Sequence, residues 1–253
     1  MGTFQKVIKI IGAVFLILVL LQLHITINQP SNRFSLMRLQ KMIIIQTIMS
    51  FISYYVYRTY KTSRLWSKLV LTAAALAHIS FFTQYLFISD NPTPLSIIPF
   101  LGFSLMIFLG MGTLAGDIGT FIFIPFTIKI TVGYQRFKLH SVPIAALVLT
   151  LWSFINTILP PQHSIIHVPI KGLGREFDNF HILHLSDIHV GPTTGKKFVD
   201  WMVDRSNSHN PDAVFITGDL VDSSVKNLKR AVFGLKHLKS KYGTYYVTGR
   251  GKL

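Results

Sequence analysis

The sequence predicts two unlike parts: an all-α membrane bundle of about five transmembrane helices over residues 1–160, and a partial α/β domain over residues 161–253. Three observations predict it. Half of the 253 residues are hydrophobic and the mean hydropathy is +0.45, too apolar for an ordinary soluble protein. The apolar residues gather in long uncharged runs before residue 160, whereas the remainder mixes 13 Lys/Arg with 8 Asp/Glu. That remainder alternates short apolar strands with helical patterns, the signature of βαβ units and a parallel sheet.

A bilayer-spanning helix takes about 20 apolar residues. Five segments meet that length: Val7–Ile27, Met42–Tyr60, Leu69–Ser89, Leu95–Gly116 and Val142–Leu159. The first has too long an apolar core for a cleaved secretory signal, and no small-x-small site follows Leu23, so it reads as an uncleaved anchor. Ile118–Ile130 is shorter, holds Pro125 and Lys129, and reads as a re-entrant or interfacial piece or the tail of a broken helix. Gly112 and Gly116, and the run Ala73, Ala74, Ala75 and Ala77, offer small faces on which helices can approach closely.

The net charge of +15 is concentrated between these segments. Residues 1–160 hold 12 Lys/Arg against only Asp90 and Asp117, and most of those cations flank apolar runs, where anionic headgroups would face them. A nucleic-acid binder needs a basic face on a soluble fold, which this distribution excludes. With five spans and the N-terminus inside, nine cations fall on the cytoplasmic side and five on the other, so the C-terminal part is expected outside. The chain has no cysteine, which excludes disulfides and thiolate metal sites. Trp66, Tyr54, Tyr55 and Tyr57 fit an interfacial aromatic belt, and His24 and His78 are expected to hydrogen-bond between helices.

After Pro160-Pro161, residues 164–170 read as an edge strand, because Pro169 tolerates only an edge. A turn at Gly172 and Gly174 follows. Then come strand Phe180–Leu185, helix Lys196–Asn207, strand Ala213–Thr217, helix Lys226–Lys239 and strand Thr244–Thr248. Functional groups in open α/β sheets sit beyond the carboxyl ends of strands. Two polar clusters lie there: Leu185-Ser186-Asp187-Ile188-His189-Val190-Gly191 and Thr217-Gly218-Asp219-Leu220-Val221-Asp222. A carboxylate and an imidazole two residues apart leave an extended strand on one side, so Asp187 and His189 can hold one ion together. Asp219, at the neighbouring strand end, has two oxygens that could bridge two ions, and Gly218 lets the backbone approach.

These clusters, with Tyr245-Tyr246-Val247-Thr248-Gly249, resemble the calcineurin-like metallophosphoesterases, and most closely a subgroup with an N-terminal multi-span membrane region. The resemblance implies the N-terminal half of an α/β metallophosphoesterase sandwich and a parent activity of metal-dependent phosphoester hydrolysis. It implies two divalent ions (Mn, Zn or Fe), with Asp187 and His189 on the first and Asp219 bridging both. The family pattern continues with Asn and His where this chain has Arg250 and Gly251, and its further His ligands would fall after residue 253. The expectation is therefore a shortened form with no complete catalytic set, holding at most one ion weakly, with one sheet face uncovered. Expected partners are the lipid bilayer and a phosphoester or lipid substrate. The alternatives are a non-enzymatic regulatory module that pairs with a longer form, and a transporter. The transporter ranks last, since the sequence shows neither repeat symmetry nor paired intramembrane charges.

Overall fold

The computed structural model describes residues 33–86, 91–123, 128–191, 193–221 and 225–248. These fall into two compact units, one within residues 1–81 and 100–154, the other within 82–99 and 155–253. The expected span Val7–Ile27, with His24, lies outside the described residues.

The first part is helical: α1 (Arg33–Tyr60), α2 (Arg64–Leu86), α3 (Pro94–Phe123) and α4 (Ile128–Ile158). Five transmembrane helices are not borne out. Among the described residues two helices are long and apolar enough to cross a membrane, Pro94–Ile122 and Val132–Ile158. Gln46, four tyrosines and Arg58 dilute the apolar run of α1. The two candidate spans keep much of their apolar surface outward, with Phe121, Ile122, Val148 and Trp152 all exposed. The core of the helical unit is packed from Met49, Val56, Tyr60, Val70, Ala77, Met106 and Leu109.

The segment Ile118–Ile130 is divided between two helices, its first half extending α3 and its last residues opening α4. The resulting α3–α4 contact is an antiparallel ladder of glycines. A Cβ added at Gly112 would lie 2.8 Å from Val142 Cγ1, one at Gly116 2.5 Å from Lys138 Cδ, and one at Gly119 2.2 Å from the Tyr134 hydroxyl. Each rung seats a large side chain on bare backbone, which is why this helix face needs small residues. The alanine face of α2 is used in the same way: a Cβ at Gly102 would meet Leu76 Cβ at 2.2 Å and the Ala73 carbonyl at 3.2 Å.

Beside the ladder lies a polar cluster that joins the two helices. Lys138 Nζ stands 2.5 Å from Asp117 Oδ1, with the lysine side chain buried, and the Tyr55 hydroxyl donates to the other carboxylate oxygen. Hydropathy placed both charges just outside their spans; helix continuation brings them face to face. His78 Nδ1 lies 2.5 Å from Gln46 Oε1, and Gln46 Nε2 donates to the His78 carbonyl at 3.0 Å, the interhelical role expected of that histidine.

In the second part, β1 (Ile182–Ser186), α5 (Lys196–Asn207), β2 (Ala213–Gly218), α6 (Val225–Val232) and β3 (Thr244–Thr248) form two successive βαβ units. The sheet is parallel in the order β1-β2-β3, with Leu183 opposite Val214 and Phe215 opposite Tyr245. Both crossovers step in one direction, so right-handed connections place both helices on the same face. Val199 and Val203 of α5 and Ala231 of α6 share one buried cluster, as that requires. Burial follows: Val214 and Ile216 are buried, whereas Ile182, Tyr245 and Val247 on the opposite face are exposed. All five residues of β3 are exposed. The N-cap of α5 is Gly195, which has no side-chain acceptor, and Asn91 Oδ1 takes the Lys197 N–H at 3.0 Å instead.

Two elements differ from expectation. Residues 164–170 are not a strand; they are exposed and outside the sheet. Pro169 removes a donor, and neither edge of the three-stranded sheet pairs with this segment. The helix expected over Lys226–Lys239 is α-helical only to Val232 and continues as a 3-10 turn, Phe233–His237. Gly234 explains the change: a Cβ there would meet Asp200 Oδ1 at 2.8 Å and Val199 Cγ1 at 3.2 Å, so the tighter turn settles directly on α5.

Candidate functional site

The two polar clusters sit at the carboxyl ends of β1 and β2, brought together by parallel pairing. Strand β1 ends at Ser186, and from there the chain is held to the β2 exit by single backbone bonds. Asp187 N–H donates to the Thr217 carbonyl (3.1 Å), His189 N–H to the Asp219 carbonyl (3.0 Å) and Val190 N–H to the Leu220 carbonyl (2.9 Å). Val190 and Val221 form an isolated bridge. Ile188 and Val190 turn into the cluster around Val199, leaving Asp187 and His189 outward.

The sequence premise of an extended strand is corrected by the structure. Asp187 has φ +49° and His189 φ +50°, both left-handed. Such a conformation costs a non-glycine residue about 1–2 kcal/mol, and short polar side chains such as Asp and His tolerate it best. Two strained residues in three, held by flanking backbone bonds, mark a segment built to aim side chains. Left-handed backbone at alternate positions also keeps the pair on one side without extension.

Gly218 supplies the third element. Its φ is +86°, and a Cβ built on it would lie 2.8 Å from Asp187 Oδ1. The Asp187 carboxylate therefore lies across the bare Cα of Gly218, one residue before Asp219. His184 Nε2 and Thr217 Oγ1, 2.6 Å apart, tie the strand ends further back. Strand register accounts for this contact, since it places His184 diagonal to Thr217.

Two carboxylates and one imidazole are a donor set that suits Mn, Zn or Fe. The side chains do not close on a shared point: among the described residues no three His, Asp or Glu stand ready to hold an ion. Asp187 and His189 are exposed and Asp219 half-buried. Arg250 and Gly251 lie outside the described residues.

Comparison with known proteins agrees with this geometry. The family model for calcineurin-like phosphoesterases matches residues 180–249, from the start of β1 to the end of β3. A transmembrane protein with metallophosphoesterase domain from Bos taurus is 31% identical over 234 residues, covering 85% of this chain and 53% of that protein. Its counterpart from Danio rerio is 30% identical over 191 residues, 74% of this chain and 44% of that protein. An uncharacterized metallophosphoesterase from Helicobacter pylori is 46% identical over 68 residues, 27% of this chain and 18% of that protein. The chain spans about half the length of the first two relatives. No solved structure matches it. Residues 180–249 thus match the calcineurin-like phosphoesterase family, and the similarity to the two transmembrane relatives extends into the helical part of the chain.

Proposed function

We propose that residues 1–160 anchor the chain in a membrane by several passes, and that residues 161–253 carry the Asp187, His189 and Asp219 donors of a metal-dependent phosphoester hydrolase. The observation that carries this is the bond from His189 N–H to the Asp219 carbonyl, 3.0 Å, which joins the two motif-bearing strand tips. A divalent ion bound there would polarise a phosphoryl oxygen as a Lewis acid. The chain's own contribution is placement: Gly218 leaves room for the Asp187 carboxylate, and the left-handed turns present Asp187 and His189 together. A tethered site favours a membrane-proximal or lipid phosphoester. The N-terminus is assigned to the cytoplasm and the α/β part to the opposite side, from the cation count.

Asp187, His189 and Asp219 are donors enough for one ion. On this reading the 253-residue polypeptide binds one Mn²⁺, Zn²⁺ or Fe ion weakly and does not hydrolyse phosphoesters. The purified polypeptide should take up less than one equivalent of Mn²⁺ by elemental analysis, lose it in Asp219→Ala, and leave an aryl phosphate intact. Hydrolysis that Asp219→Ala abolishes, or two ions held tightly, would sink the reading.

The exposed face and edge of the sheet favour a second reading, a non-enzymatic module that pairs with a longer form. Strand β3 presents Tyr245, Tyr246 and Val247 outward with no charge among them, an edge suited to strand addition. Co-purification of a longer form that is lost with Val247→Lys would favour it.

A further inference from the structure

A cavity of about 300 Å³ opens beside the polar cluster of the helical unit, lined by Thr59 of α1 and by Val132, Gln135, Arg136, Lys138 and Leu139 of α4. The catalytic reading makes no use of it. Its polar groups are unequally engaged. Lys138 is committed to Asp117, and Gln135 Nε2 donates to Thr120 Oγ1 at 2.9 Å. Thr59 spends its proton on the Tyr55 carbonyl, keeping lone pairs free. Arg136 is exposed and makes no ion pair among the described residues.

The cavity lies at helix ends. Thr59 is the penultimate residue of α1, and Arg136 stands four residues into the apolar stretch Val132–Ile158, about 6 Å along the axis. If these helices cross a bilayer, that is headgroup depth. Val132 and Leu139 form apolar walls beside the guanidinium.

We infer that this cavity binds the headgroup of one anionic phospholipid, with the phosphodiester on Arg136 and the start of the acyl region along Val132 and Leu139. One uncommitted guanidinium matches the single negative charge of a phosphodiester, and its planar fork suits two phosphate oxygens. Apolar walls suit a lipid and disfavour a free, strongly hydrated phosphate dianion. The surrounding charge agrees: only Asp90 and Asp117 oppose 12 cations over residues 1–160, and Asp117 is already paired. Basic pockets between membrane helices bind lipid headgroups in this way. The inference rests on the membrane reading of the helices and is independent of the metal site.

The test is native mass spectrometry of the whole chain in neutral detergent, with added phosphatidylglycerol, phosphatidylcholine or inorganic phosphate. One phosphatidylglycerol should be retained in preference to phosphatidylcholine. Arg136→Gln should lower its occupancy about fivefold, the loss of roughly one cation–headgroup contact, and Arg136→Lys should restore part of it. Arg64→Gln, an exposed cation that does not line the cavity, should leave occupancy unchanged. Equal retention by Arg136→Gln and the parent, equal retention of both lipids, or displacement by millimolar phosphate would overturn the proposal. Alkaline extraction of the chain from membranes reads the membrane assignment separately: release would refute the embedding, whatever the headgroup preference.

Discussion

Gly218 offers the sharpest perturbation of the candidate metal site, because its effect on the fold can be separated from its effect on Asp187. In Gly218→Ala, the new Cβ falls 2.8 Å from Asp187 Oδ1, and an ordinary contact begins at 3.4 Å, so the carboxylate must move about 0.6 Å or swing away. The backbone at φ +86° adds the left-handed cost of about 1–2 kcal/mol. Gly243→Ala pays a similar backbone penalty at φ +100°, yet its nearest neighbour is the Tyr245 hydroxyl at 3.9 Å, far from the donors. Both variants should lose about 1–2 kcal/mol of stability, read by urea melts followed through the fluorescence of Trp201. Only Gly218→Ala should weaken Mn²⁺ binding, by roughly tenfold, the usual effect of disturbing a ligand's support. Titration calorimetry on the folded variants measures it. Equal Mn²⁺ affinity in Gly218→Ala and the parent, or equal weakening in Gly243→Ala, would refute the placement of Asp187 as a donor over Gly218.

Other outcomes follow from the packing. Lys138→Met leaves the partly exposed Asp117 carboxylate without its cation and should cost about 1–3 kcal/mol, whereas Asp117→Asn with Lys138→Met should recover most of it; thermal aggregation of the detergent-solubilised protein compares them. Gly102→Val should drive α2 from α3 and abolish a monodisperse peak in detergent, because its Cβ has no room beside Leu76. Leu228→Ala removes a fully buried side chain of α6 and should cost about 2–5 kcal/mol, enough to expose residues 161–253 to limited proteolysis. Tyr245→Lys and Val247→Lys place charge on the open sheet face and should reduce self-association by light scattering with little change in stability, since both side chains are already outside.

The α/β part was the more legible. Helix Lys196–Asn207 and strand Thr244–Thr248 have the bounds expected, because apolar periodicity and turn residues agree locally. Residues 164–170 failed for the opposite reason: an alternating apolar run says what could pair and cannot supply the partner strand. The site residues were named from strand ends alone, yet their left-handed backbone had no signal beyond Asp and His tolerating it. In the helical part, hydropathy ended α3 near Gly116 and began α4 at Val142. Helix hydrogen bonds continue through polar residues that end an apolar run, so the Asp117–Lys138 pair was hidden. Spacing did carry one correct hint, in Gly112 and Gly116.

The glycine ladder has a consequence for how the α3–α4 hairpin is assembled. Its rungs pair residues whose numbers fall as their partners' rise, so the joint admits one seating. Sliding by a full turn would carry Lys138 to Gly112 or Gly119 and take its ammonium away from Asp117. Intermediate offsets would press Val142 or Tyr134 against ordinary side chains. The two helices are thus keyed together, and mechanical or thermal stress should separate the hairpin in a single step, without sliding through partly slipped registers.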